Sequence, residues 1–439
     1  MIDEQVIEEN LTVGEVIAPL AEEVRIAPGE ERASLWRNRN FNIFWGGQTL
    51  SALGDAFAFI AMPLLVLQAT GSVAQMGLAT AAAGGGELVM GIFAGPIVDR
   101  VNRRKLMILC DVVRAIIYGA VPLCWALAGP QIWLIYLVMT LGGMFGNLAG
   151  VAYVTAVTNL VDREEIVDAV SRLETTFGLS FILGPMLAGL VSFNLGGPAA
   201  AIGIDALSFL ASMASLLLIR FRTPAAAPRP QQKESIVQEL SAGVRFLMSN
   251  RLLRAATVML IVMTMITAGG LDLFIFHLKH NLGGDDNAVG LVLGLASIGG
   301  VAASALVPFL RRRVGFGLSY IGGNLVQSVS LIAIGLAATP LLLAPLTVTY
   351  ILGERTRGLN TMTTRQQITP NYLLGRVTAA FWTLGSVLGP IGAAIVTAIA
   401  AQVGASATLV GMGIVGIIVG IIALFTPVNV AHPEQQVES

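Results

Sequence analysis

Residues 95–105 read Gly95-Pro96-Ile97-Val98-Asp99-Arg100-Val101-Asn102-Arg103-Arg104-Lys105, a short charged turn between the apolar runs 75–98 and 106–128. Each run has about 20 residues, the length at which an α-helix crosses a hydrocarbon core. Two such runs joined by a basic turn predict a hairpin that crosses a bilayer twice. Working outward in both directions, the same pattern recurs. It predicts twelve spans, at 42–68, 75–98, 106–128, 131–157, 173–194 and 199–220, then 254–276, 288–310, 317–338, 340–358, 376–401 and 405–426. Membrane β-strands would show runs of about ten residues with period-two alternation. These runs are longer and apolar throughout, so the expected fold is an all-α polytopic membrane protein of twelve transmembrane helices.

The basic residues fix an orientation for that scheme. With the N-terminus inside, 24 of the 26 Lys and Arg fall on the inner side, leaving Arg114 within the third span and Lys279 outside. Lys and Arg in short loops stay cytoplasmic. Both termini are therefore expected in the cytoplasm of a multi-pass cell-membrane protein. Composition agrees: 55% of residues are hydrophobic and 12% charged, against roughly 25% charged in soluble domains. That excludes a string of soluble globules and a disordered chain. The balance of 26 Lys+Arg against 27 Asp+Glu gives no basic face for nucleic acid. No nucleophile–base pair or metal cluster suggests an enzyme. Gly411-Met412-Gly413-Ile414-Val415-Gly416 fits a dinucleotide-binding pattern, but it lies inside an apolar span with no strand before it and reads as helix packing. His277 and His280 read as a solvated helix end.

The chain divides into an acidic tail (1–40), a six-span half (41–222), a Pro-rich linker with an amphipathic helix (223–252), a second six-span half (253–426) and a tail (427–439). The halves echo each other. Asn38-Arg39 matches Asn250-Arg251, and Pro96 with its basic turn matches Pro308 with Arg311–Arg313, both at an offset of 212 residues. Gly184-Pro185 matches Gly389-Pro390 at an offset of 205. Duplicated six-helix halves describe secondary transporters with the substrate at the interface.

On these residues the chain resembles the major facilitator superfamily. The turn at 95–104 is similar to that family's G-x-x-x-D-R-x-x-R-R signature at every position. Gly184-Pro185-Met186-Leu187-Ala188-Gly189 is similar to the antiporter G-P-x-x-G-G motif, with Ala188 in place of its first paired glycine. Phe44-Trp45, Gln48, Ser51, Gly54-Asp55 and 173–178 (LETTFG) resemble the macrolide-efflux and enterobactin-exporter branch. The resemblance implies two rocking bundles. It also implies a gate at the cluster of Gly95, Asp99, Arg100, Arg103 and Arg104, whose outward-open latch it carries to Asp99 and Arg103, and a cavity sealed against leak by Gly184, Pro185 and Gly189. In the residues themselves, Gly95 lets helices approach. Asp99 is placed to cap a helix N-terminus, and the arginines are expected to find carboxylates. Asp111 and Arg114, three apart, are expected to pair on one helix near this cluster.

Asp55 and Glu87 sit at the middle of the first and second spans, where an acid costs about 2.5–3.5 kcal/mol to insert and marks an ion or proton path. Gln48, Ser51 and Asp55 share one helix face, and Glu87, Gly91 and Gly95 another. We expect Asp55 and Glu87 to couple protons. Gln48, Phe59, Met62, Phe145, Asn147 and Phe181 are expected to line a mostly apolar cavity. Asp205 is expected to be structural. The expected function is a secondary transporter, with no cofactor and the proton gradient as its energy source, that exports lipophilic or amphipathic molecules such as drugs against proton entry. The expected partners are a small-molecule substrate, protons and the lipid bilayer, with the chain a monomer. Export of a siderophore, nutrient symport, and a non-transporting receptor are the alternatives.

Overall fold

The computed structural model describes residues 35–162, 165–221, 236–370 and 373–431, with the side chains of Asp99, Thr158, Ile236, Val237 and Glu239 outside that description. The acidic tail before residue 35, the Pro-rich part of the linker and the end of the C-terminal tail lie outside the described residues. The described residues form helices and connecting turns, with no strand among them. The first half contains α1 (Arg39–Thr70), α2 (Val73–Arg100), α3 (Arg103–Ala128), α4 (Ile132–Ala156), α5 (Ile166–Asn194) and α6 (Pro198–Leu218). The second contains α7 (Ile236–Ser249), α8 (Arg251–Thr267), α9 (Gly270–Phe276), α10 (Asp286–Gly335), α11 (Pro340–Ile368), α12 (Leu374–Val387), α13 (Gly389–Val403) and α14 (Ala405–Leu424). Ten stretches are long and apolar enough to cross a membrane. One of them, α10, holds two spans, and α11 supplies the twelfth. The protein is a multi-pass membrane protein of two six-span bundles.

The repeated Asn-Arg pairs prove to be helix starts. Asn38 accepts a hydrogen bond from the Phe41 amide of α1, and Asn250 accepts from the Leu252 and Leu253 amides of α8. Each satisfies donors the helix cannot bond itself. Asn250→Ala should cost about 1 kcal/mol, read as a lowered unfolding midpoint of the purified protein in detergent.

Several expectations change. The turn expected between the eighth and ninth spans, with Arg311–Arg313, is instead a break at Gly315 alone, whose φ is 79°. A Cβ there would lie 2.8 Å from Cβ of Ala431. The freed amides of Phe316 and Gly317 donate to the carbonyls of Ala431 and Val430, so the C-terminal segment caps the restarted helix. The tenth span does not end at 358: α11 runs to Ile368. Arg365, beyond the expected span, therefore lies in the same helix as Arg355 and Arg357. Arg357 is buried beside Gln327, and Arg365 is buried with its guanidinium over the ring of Phe381. Aromatic stacking and a polar partner let a helix carry these charges inside the bundle. The amphipathic α7 packs on α12, closely enough that a Cβ at Gly243 would meet Arg376 and Ala380. His277 is buried, not solvated, and its Nδ1 meets Asn281 and Ser406.

The alternating helices place the basic turns at one end of the molecule. At the opposite, far end a single hydrophobic core runs through both halves, joining Phe57, Met62 and Ile202 with Leu273, Val289 and Val396. At the basic end the core is split in two. One part is built from 35–219, around Phe41, Phe44 and Leu106, and the other from 247–428, around Phe316, Tyr320 and Phe381. The far end is shut and the basic end is parted.

Candidate functional site

Glycines make the far-end closure. On α5 and α10, a Cβ at Gly189 would lie 2.7 Å from the Asp286 carbonyl oxygen and 2.8 Å from Cα of Gly290. On α2 and α13, Gly77 abuts Thr397, and a Cβ at Gly84 would lie 2.9 Å from Cγ of Pro390. Backbones this close require residues without side chains. The expected seal therefore gathers at Gly189. Gly184 packs instead on Ala56 of α1 within its own half, and the Pro185 carbonyl lies against Gly290.

Beneath the closure, between the bundles, lies a cavity of about 580 Å³. Its walls come from α1 to α5, with Leu271 from the second half. Gln48, Ser51, Asp55, Phe59, Met62, Glu87 and Phe181 line it. Ring centroids of Phe59 and Phe181 lie 6.1 Å apart, and those of Phe177 and Phe181 lie 5.0 Å apart, giving an apolar wall. Opposite stands Gly142, Gly143, Gly146 and Gly150 of α4. These small residues at helical spacing were visible in the sequence; the packing sets Gly142 against Tyr118 and Gly143 against the Ala83 carbonyl of α2, and leaves Gly150 facing open space. Asn147 is not in the wall; it sits behind α2 near Gly91, its Oδ1 buried without a partner. Phe145 packs into the core of the first half. Their helix rotates them away from the face that the four glycines present.

The floor of the cavity is polar. Asp55 of α1 is ion-paired with Arg114 of α3. The guanidinium also lies over the ring of Phe209, 3.9 Å from its centroid. Asp111 does not take Arg114 as its hydrogen-bonding partner: its Oδ2 accepts from Ser212 Oγ at 2.7 Å, and Ser212 Oγ accepts from Gln48 Nε2 at 2.9 Å. The three-residue spacing puts both on one side of α3, but α1 and α6 offer each a better-placed partner. Neither lies with the basic turn. Asp205 of α6, expected to be structural, also faces Arg114 and is fully buried, with Oδ2 unpartnered. Gly54 admits it: a Cβ there would lie 2.5 Å from Asp205 Oδ1. One guanidinium thus stands among Asp55, Asp111 and Asp205. Sequence reasoning missed this triad because its acids come from three helices. Glu87 enters the cavity from α2, with no hydrogen bond to the cluster.

The basic turn stands apart. The cap of α3 is Asn102, which accepts from the Lys105 amide; Asp99 falls in the last turn of α2, its side chain outside the described residues. Arg103 Nη1 donates to the Thr155 carbonyl at 3.0 Å. Arg104 donates to the carbonyls of Leu216 and Leu217 at 2.6 and 2.8 Å. These bonds join both arginines to the C-terminal ends of α4 and α6, where cations are favoured, rather than to carboxylates. Arg100 is exposed. Gly95, expected to permit close approach, faces open space with no atom within 4 Å. With the basic ends parted, α2 has no neighbour there.

Comparison with known proteins agrees with this architecture. The profile of the Major Facilitator Superfamily matches residues 44–393. The chain is 28% identical over 388 residues to the enterobactin exporter EntS of Escherichia coli (strain K12), covering 86% of this chain and 89% of that protein. It is 24% identical over 388 residues to the multidrug efflux pump Tap of Mycolicibacterium fortuitum, covering 85% and 92%. Among solved structures, the nucleoside transporter NupG superposes with a TM-score of 0.72 at 12% identity, covering 88% of this chain and 98% of that one. A bacterial homologue of ferroportin in an inward-facing state superposes with a TM-score of 0.65 at 16% identity, again covering 88% and 98%.

Proposed function

Because the chain belongs to the major facilitator superfamily, a family of transporters rather than enzymes, we propose that it exports lipophilic or amphipathic small molecules across the cell membrane in exchange for protons. In this proposal both termini are cytoplasmic, so the basic end is inside and the structure is the inward-facing state. The observation that carries the coupling is the guanidinium of Arg114 facing three carboxyl groups, of which Asp55 and Asp111 line the cavity and Asp205 is buried behind them. Arg114, Asp111 and Asp205 are buried while Asp55 opens onto the cavity; gathering these charges is costly, and a proton reaching Asp55 is the smallest ligand that rebalances them.

In the proposed cycle, a proton on Asp55 loosens its pair with Arg114, and the guanidinium turns toward Asp111 and Asp205. α1 and α3 then repack against each other. Substrate on the aromatic wall and the proton at the floor favour different states, so each weakens the other's binding by the same factor. Glu87 takes a proton from the cavity as the second coupling acid. In the outward-open state, the Gly95 turn with Asp99 and its arginines closes against the second half. The efflux relatives support the export direction, and the inner opening suits uptake of cargo from the cytoplasm or inner leaflet.

The test is a substrate screen in proteoliposomes that reads proton movement with a pH-sensitive dye. Substrate-driven proton flux carries the proposal, and substrate movement without proton flux overturns it. Glu87→Gln should fold normally and lower the proton-driven export rate about tenfold, which the same assay measures. Likeness to enterobactin exporters favours siderophore export as the second reading. Growth under chelated iron, compared with growth under lipophilic drugs, separates the two.

A further inference from the structure

Asp272 of α9 is 1% exposed, and both of its carboxyl oxygens lack hydrogen-bond partners. It lies where α9 packs against α1, α2, α13 and α14, in the far-end seam between the bundles. The Thr80 hydroxyl of α2 is the adjacent polar group, out of bonding geometry. The surrounding elements bring no cation to it. Asp55 of α1 is taken by Arg114, and α13 and α14 carry no titratable residue. On its own segment, His277 turns to Asn281 and Ser406, and Lys279 pairs with Asp286. On α2, Glu87 lies seven residues from Thr80, two helical turns nearer the basic end along the same face. Thr80, Gly84, Glu87 and Leu271, the neighbour of Asp272, all line the cavity.

A carboxylate sealed in this seam has no counter-charge and at most the Thr80 hydroxyl as a donor, which is costly. The neutral acid fits the same space. When the bundles part at the far end, the seam opens and water reaches Asp272. We propose that Asp272 is a proton-binding residue of the far-end gate: the gate shuts over the protonated acid and reopens once the proton is lost. This rests on the proton-coupled reading above and gives that proton an entry point. A proton taken up at the far end is carried into the closed state, and the face of α2 from Thr80 to Glu87 leads from the seam into the cavity. The second half, where Glu354 midway along α11 is paired with Arg355, thereby acquires a role in coupling.

The gate is read directly by electron–electron distance measurements between spin labels at Gln68→Cys, at the far end of α1, and Gln402→Cys, at the far end of α13. The background is Cys110→Ala and Cys124→Ala, with the full chain in lipid nanodiscs and no substrate. In the parent, the ratio of shut to open gates should fall by up to about tenfold per pH unit on the alkaline side of its midpoint, as release of one proton requires. Asp272→Asn, a neutral isostere, should remain shut at every pH, and its short-distance population itself reports a folded protein. Asp272→Glu should restore a pH response. The proposal is overturned if Asp272→Asn titrates like the parent, or if added Na⁺ at fixed pH shuts the gate in place of protons. Substrate-driven proton flux in wild-type proteoliposomes separates the two proposals. Flux together with an unaltered Asp272→Asn titration defeats the gate alone, and a titrating gate without flux defeats only the export mechanism.

Discussion

Asp55→Asn is expected to bring proton-driven export down to the level of protein-free liposomes. The substitution keeps the side chain's shape and removes the group that holds Arg114 at the cavity floor. It also leaves a buried guanidinium short of one counter-charge. Breaking a buried pair from one side typically costs about 3–5 kcal/mol; with Asp111 and Asp205 still facing Arg114, we expect about 3 kcal/mol or less. Lost stability and lost coupling are separable. The double variant Asp55→Asn/Arg114→Gln removes both charges of the pair but leaves Asp111 and Asp205 without the guanidinium they face, so it should recover only part of the unfolding midpoint. It should recover none of the transport. Undiminished substrate-driven proton flux in Asp55→Asn would sink the assignment of this residue.

Gly290→Val should hold the far end open. A Cβ at Gly290 runs into the Pro185 carbonyl and lies 2.8 Å from Cα and 3.0 Å from N of Gly189. These are backbone atoms of two long helices, so neither side can yield by a rotamer change. Overpacking of this kind costs about 1–3 kcal/mol. The cost falls only on the shut state, which moves the shut-to-open ratio by about 5- to 150-fold. Distances between the far-end labels should lengthen, and a cysteine at Gln402 should react faster with a membrane-impermeant reagent. Gly178→Val is the control, since Gly178 faces open space. Equal distance distributions in the two variants would count against the glycine closure.

Most of the fold was legible in the sequence because the bilayer imposes one length and one composition on every span. The twelve spans follow from hydropathy, and the alternation of basic turns follows from the same ruler. The misses have physical causes. The charges of Arg357 and Arg365 argue for the inner surface, but Gln327 and the Phe381 ring shelter them inside the bundle. Arg311–Arg313 signalled a turn, but Gly315 alone, with its positive φ, accomplishes the reversal. At the site, helical spacing correctly put Gln48, Ser51 and Asp55 in one wall. It failed for Arg114, whose partner lies 59 positions away. Periodicity describes one helix at a time, whereas the choice among Asp55, Asp111 and Asp205 depends on how three helices are rotated against one another. In the gate proposed above, burial of Asp272 likewise depends on which conformational state is occupied, and a sequence carries no label for the state.

The lopsided cavity has a consequence for how the molecule diversifies. Nearly every wall residue belongs to the first half, with Leu271 the contribution of the second. On the export reading proposed above, selectivity for cargo can drift by changes in five neighbouring helices while the remainder serves as a constant anvil. A hybrid carrying the second half of a distant relative should keep its cargo preference, provided the glycine contacts across the joint still match.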